Sequence, residues 1–289
     1  MLQVARLSPN LLGDASDLVR QFVVSQVLPD GGFADRSGNS DLYYTVFGME
    51  SSIALRSEPP DISAYLKQFE EGDGLDFVHL ACLCRCWANL SRGDFRRIPR
   101  DAILRRLEVF RSRDGGFAQT PGAETGTLYA AFLAYGAYQD FQIELPDADR
   151  LRNSLQSLRA SDGAYSNQPG AQQGLTTSTA AAVLLLRHLG LTPDASLADW
   201  LLARANPQGG FFALPDAPIP DLLSTATALH ALAAMQAPLE PLRESCLDFI
   251  DSLWTNRGGF YGSWADDAID CEYTYYALLS LGHLSLCVP

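Results

Sequence analysis

The sequence predicts an all-α protein: an α/α toroid, or (α/α)6 barrel, of about six helix–loop–helix repeats in one domain over residues 1–289. Three observations predict it. A Gly-Gly-aromatic signature, or a near variant, recurs along the chain. Each copy follows an amphipathic segment and precedes an almost wholly apolar one. The copies keep a near-constant spacing, the mark of a repeat architecture.

Five copies stand out: Asp30-Gly-Gly-Phe-Ala-Asp35, Asp114-Gly-Gly-Phe-Ala-Gln119, Asp162-Gly-Ala-Tyr165, Gln208-Gly-Gly-Phe-Phe212 and Arg257-Gly-Gly-Phe-Tyr261. Their first glycines fall at 31, 115, 163, 209 and 258, so the last three intervals are 48, 46 and 49 residues. The first interval, 84, is two units of 42, which places a degenerate copy at Glu71-Gly-Asp-Gly-Leu75.

Before the loops, residues 18–27, 102–110, 151–158, 197–203 and 242–253 repeat apolar side chains at three and four spacing, with charged residues between. They predict half-buried outer helices. After the loops, residues 43–55, 77–90, 128–138, 179–189, 222–235 and 273–286 are apolar nearly all round and predict buried inner helices. The first glycine of each loop is expected to take the left-handed conformation that ends a helix. The second allows close chain approach, and the aromatic residue plugs the gap between layers. Asp41, Asp76, Asp221 and Asp270 stand where they would N-cap inner helices.

Charge narrows the partners. The chain has 21 Lys and Arg against 34 Asp and Glu, a net charge of −13. This argues against nucleic acid and against an anionic membrane, which both need a basic face. Residues 1–27 lack an uninterrupted apolar stretch, and no segment reaches the roughly 18 apolar residues of a spanning helix. Cys82, Cys84, Cys86, Cys246, Cys271 and Cys287 form no Cys-x-x-Cys pair and are expected to be reduced thiols of a cytoplasmic protein.

Three constellations are candidates for chemistry. Asp266, Asp267, Asp270 and Glu272 place four carboxyl groups within seven residues. Crowded like charges raise one carboxyl pKa and suit it to general acid work, which nominates Asp266, Asp267 and Asp270 as catalytic residues. An exposed acidic loop with an N-cap, or a cation site, satisfies the same pattern. Aromatic rings crowd the inner helices, among them Tyr43, Tyr44, Phe47, Tyr129, Phe132, Tyr273, Tyr275 and Tyr276. Such rings hold an apolar chain or stabilise a carbocation through their π faces, and they also simply pack layers together. His79, Cys82 and Cys86 share one helical stripe with zinc-binding donor types. The alternative is a buried helix that uses cysteine as a small apolar residue.

The repeat resembles that of the prenyltransferase and squalene-cyclase family, which includes the β subunits of protein prenyltransferases and the class II terpene cyclases. The likeness covers nearly the whole chain. Gly31-Gly-Phe-Ala-Asp-Arg36 followed by Asp41-Leu-Tyr-Tyr-Thr-Val-Phe-Gly48, and Gly258-Gly-Phe260 followed by Asp267-Ala-Ile-Asp-Cys-Glu-Tyr-Thr274, look most like a Rab-type geranylgeranyltransferase β subunit. The resemblance implies an aromatic-lined cavity for an isoprenoid or other apolar small molecule. It places Tyr43, Tyr44, Phe47, His79, Tyr129, Phe132, Asp221, Tyr273 and Tyr276 as residues that bind it. It also implies an α-subunit-like protein partner.

The same resemblance implies a zinc site from an Asp-x-Cys and a His, yet Leu223 stands two residues after Asp221 and Tyr273 stands where the His would be. No metal or other cofactor is therefore expected. The stretch 211–220, where the family grips diphosphate, contains no base. Class II cyclases protonate an alkene with an Asp-x-Asp-Asp aspartate, chemistry that Asp266-Asp-Ala-Ile-Asp270 approaches at a different spacing. The expectation is an isoprenoid-handling enzyme, diverged from the prenyltransferases or cyclases. The alternatives are a non-catalytic scaffold that keeps the toroid to hold a lipid or protein, and a carbohydrate-active barrel, against which the repeat signature argues.

Overall fold

A computed structural model describes residues 1–90 and 98–287. In chain order its helices are α1 (Leu2–Ala5), α2 (Pro9–Leu12), α3 (Ala15–Ser25), α4 (Leu42–Ala54), α5 (Ser63–Leu66), α6 (Phe77–Ala88), α7 (Arg100–Glu108), α8 (Leu128–Asp140), α9 (Ala148–Ser157), α10 (Thr176–His188), α11 (Ser196–Leu202), α12 (Leu222–Ala234), α13 (Arg243–Leu253) and α14 (Cys271–Leu284). One antiparallel ribbon pairs β1 (Phe33–Ala34) with β2 (Ser40–Asp41), Phe33 opposite Asp41. The apolar segments all form helices; three begin on the expected residue and the other three within three residues of it. The residues the sequence assigned to capping do cap: Asp41, Asp76, Asp221 and Asp270 accept the backbone N–H of Tyr44, His79, Ser224 and Tyr273.

The loop glycine has a different role from the one expected. The outer helices end five to seven residues before it. The chain then makes a tight turn, closed by the glycine N–H on the carbonyl three residues back: Gly31 to Leu28, Gly115 to Ser112, Gly163 to Ala160, Gly209 to Asn206 and Gly258 to Thr255, all at 2.8–3.0 Å. The five φ angles run from 89° at Gly163 to 104° at Gly209, a region closed to most side chains. The turn opens a short hairpin in which Val27, Arg111, Arg159, Ala205 and Trp254 bridge to Phe33, Phe117, Tyr165, Phe211 and Phe260. This is hairpin and bulge chemistry rather than helix capping. Left-handed helix ends occur instead on inner helices, at Arg56, Gln142, Gly190 and Gln236. There the next N–H reaches five residues back, as from Ser57 to Ser52 and from Ala237 to Leu232.

The aromatic residue of the signature is buried in all five copies. In four of them its N–H donates to a threonine of the following inner helix: Phe33 to Thr45, Tyr165 to Thr179, Phe211 to Thr225 and Phe260 to Thr274. The degenerate copy follows the short α5, and its Gly72 and Gly74 keep φ of 85° and 78°.

The described chain forms two compact units, Met1–Pro60 with the stretch from Asp194 onward, and Asp61–Pro193. In the first, α14 packs between α4 and α12 and also against α1 and α13. In the second, α8 packs between α6 and α10. All six cysteines are buried and none forms a disulfide. Among the described residues no helix is long and apolar enough to cross a membrane.

Candidate functional site

The first unit gathers the aromatic residues of its inner helices into one face. On α4, Tyr43 and Phe47 are one turn apart, with ring centroids at 4.9 Å. Phe47 meets Tyr276 of α14 at 5.4 Å, and Tyr276 lies 6.5 Å from Tyr273. Tyr44 extends the row, 5.7 Å from Tyr43. These five rings are all half-buried, whereas Tyr275 behind them is only 2% exposed and belongs to the core.

Carboxyl groups meet the end of this face. Tyr43 donates its phenol hydrogen to Glu272 Oε1 at 2.6 Å. Burial pushes the Glu272 carboxyl up from 4.5 to about 7, and the charges of Asp270 and Asp266 add to this against the opposing Tyr43 hydrogen bond and Arg36. Tyr44 and Tyr273 are raised to about 12, first by burial and then by the charges of Asp270 and Glu272.

Arg36, from the first repeat's ribbon, binds the acidic loop of the last repeat. Its Nε donates to Asp270 Oδ2 at 2.8 Å, and its two terminal nitrogens donate to the two oxygens of Asp266 at 3.3 and 2.9 Å. The guanidinium carbon lies 5.5 Å from the Tyr273 ring centroid. Burial pushes Asp266 upward, but the Arg36 hydrogen bonds and the Ala268 and Gly262 N–H groups outweigh it and hold the carboxyl below the usual range. Asp266 is thus a carboxylate at neutral pH, the opposite state from a proton donor. Asp270 is 3% exposed, and burial raises its carboxyl despite the Tyr273 N–H and Arg36. Asp267 is exposed on the same loop.

The other sequence-nominated residues lie elsewhere. Asp221 caps α12 and accepts both the N–H and the hydroxyl of Ser224 at 2.7 Å. Burial raises its carboxyl. His79, Tyr129 and Phe132 belong to the second unit. His79 Nδ1 lies 2.9 Å from Asp76 Oδ1 on α6. Tyr129 is exposed and Phe132 half-buried on α8. Two features of the site were missed in the sequence. Arg36, at the end of Gly31-Gly-Phe-Ala-Asp-Arg36, and Glu272, at the end of the acidic run, are not marked as site residues by the sequence alone. The signal for Glu272 was its place two residues into an apolar inner helix, where a carboxyl loses water.

A family model, the prenyltransferase alpha-alpha toroid domain, matches residues 8–72, 65–212 and 194–286. The chain belongs to this family. Solved structures agree in fold with the toroid that the repeats predict. A variant of the type II terpene cyclase MstE from Scytonema, in complex with geranylgeranyl dihydroxybenzoate, is 13% identical, with a TM-score of 0.64 over 97% of this chain and 98% of that one. Protein geranylgeranyltransferase-I from Candida albicans, complexed with GGPP, is 16% identical, with a TM-score of 0.60 over 97% of this chain and 81% of that one. The GH76A alpha-1,6-mannanase from Salegentibacter sp. HEL1_6 is 10% identical, with a TM-score of 0.61 over 96% and 99%. At these identities the likeness is one of fold. No curated protein matches the sequence.

The zinc implied by the prenyltransferase likeness does not suit the residues of this toroid protein. Leu223 offers no donor, Asp221 is engaged by Ser224, and the Tyr273 phenol is held protonated far above neutrality. Among the described residues no group of three or more His, Cys, Asp or Glu side chains is arranged to hold a metal ion.

Proposed function

We propose that this toroid protein holds an isoprenoid, or a similar apolar chain, against its aromatic face and protonates it from Glu272. The observation that carries the reading is the Glu272 carboxyl hydrogen-bonded to Tyr43 at 2.6 Å at the end of a row of half-buried rings, where burial pushes it up to about 7. Proton transfer breaks the carboxylic O–H bond and forms a C–H bond at one alkene carbon. Positive charge develops on the other carbon, where the π faces of Phe47, Tyr273 and Tyr276 are suited to stabilise it. Loss of a proton from the adjacent carbon to the Glu272 carboxylate restores the acid and leaves an isomerised or cyclised alkene. Tyr43 stabilises the carboxylate in between. Asp266 and Asp270 act as positioning residues, since they anchor Arg36 and their charges favour the protonated state of Glu272.

The test is product analysis after incubation with geranylgeranyl compounds. The native protein is expected to convert one of them, and Glu272→Gln to bind it with turnover reduced about a hundredfold or more. Full turnover in Glu272→Gln would refute the assignment. Binding without turnover in the native protein would leave a carrier.

A further inference from the structure

We infer that the isoprenoid taken by this site ends in an uncharged or positively charged group, such as an alcohol or an amine, and not in a diphosphate. The inference rests on the isoprenoid reading above and concerns only the polar end of the chain.

A diphosphate needs unspent cations or unspent helix N-termini. At the end of the aromatic face stand Asp41, Asp266, Asp267, Asp270 and Glu272, and the guanidinium hydrogen-bonded among them is that of Arg36. Arg36 is committed, with one contact to Asp270 and two to Asp266. Drawing it toward a phosphate would strand the Asp270 charge, which is 3% exposed. At the N-termini of α4 and α14 a carboxyl group already stands as the cap, Asp41 accepting from Tyr44 N–H and Asp270 from Tyr273 N–H. Carboxylates occupy the positions where a phosphate would otherwise dock.

The sign of the local field agrees. The Asp270 charge that resists ionisation of the Tyr44 and Tyr273 phenols would resist any other anion placed among those rings, even while Glu272 is protonated. The same field favours a cation, both as an amine on the resting substrate and as the charge that develops during protonation.

The experiment compares geranylgeraniol, geranylgeranylamine and geranylgeranyl diphosphate by calorimetric titration of the native protein below their micellar concentrations. The alcohol and the amine are expected to bind at least tenfold more tightly than the diphosphate. Asp267→Asn, which removes an exposed charge, is expected to narrow that gap. A diphosphate that binds as tightly as the alcohol, or more so, overturns the inference while the isoprenoid reading survives. Failure of all three ligands to bind removes the isoprenoid reading, and the inference with it.

Discussion

Glu272 sets the expected pH behaviour. As the proposed proton donor it acts only while protonated, so kcat/KM should fall as pH rises through about 7. A flat profile from pH 6 to 9 would contradict its role. Stability carries the same signature. The folded carboxyl is raised from 4.5 to about 7, so its contribution is full below about 4.5 and is lost as pH rises through about 7. Glu272→Gln keeps an acceptor for Tyr43 and loses the titration. It should therefore be more stable than the native protein at pH 8, by up to about 3 kcal/mol, with most of the gap gone at pH 5. Urea midpoints at the two pH values check this. Arg36→Met should cost about 2 kcal/mol at pH 7, because it leaves buried Asp270 without its partner while Arg36 itself is part-exposed. The loss should shrink on acidification, as Asp270 becomes neutral. The sequence makes the crowding of carboxyl groups plain but not which of them is pushed up to about 7. That choice depends on Arg36, 230 and 234 residues away from Asp266 and Asp270, and on burial that no local pattern reports.

At the level of elements, inner helices, outer helices and aspartate caps were all legible, because apolar period and capping chemistry are local. The loop was only half legible. Its glycines announced a special backbone, but the turn they close depends on a hairpin bridge, and the threonines that receive the aromatic N–H groups lie 12 or 14 residues on. The glycines also differ in surroundings. A Cβ at Gly258 would meet Leu18 O at 2.3 Å, one at Gly209 would meet Ser245 O at 1.9 Å, and one at Gly163 would meet nothing within 4 Å. Gly163→Ala should therefore cost only its backbone strain, about 1 kcal/mol. Gly258→Ala and Gly209→Ala should cost about 3 kcal/mol or more, because the turn must also move off α3 or α13, respectively. Thermal melts of the three variants test the order, and equal losses would show that the contacts with Leu18 and Ser245 carry no weight.

Over the whole molecule, the repeat spacing predicted a closed ring, and so a meeting of the first and last repeats, but not the side chains through which they meet. The unit that carries the candidate site is discontinuous. Residues 1–60 join those from 194 onward through α1 and α4 on α14, Gly258 on Leu18, and Arg36 on the last loop. Their amide protons are expected to exchange as one cooperative group, and weakening the last repeat by Gly258→Ala should lower protection in α3 and α4 together with α14. Independent exchange of residues 1–60 would contradict this.

That discontinuity has a consequence for how the chain is made. Arg36 leaves the ribosome some 230 residues ahead of Asp266, an interval of roughly 10 to 50 s at ordinary rates of synthesis. Throughout it α4 lacks α14, which packs on it, and α3 lacks the Gly258 turn that sits on Leu18 and Phe22. Folding of this unit must then wait for the end of the chain, with the α14-facing side of α4 uncovered until α14 has been made.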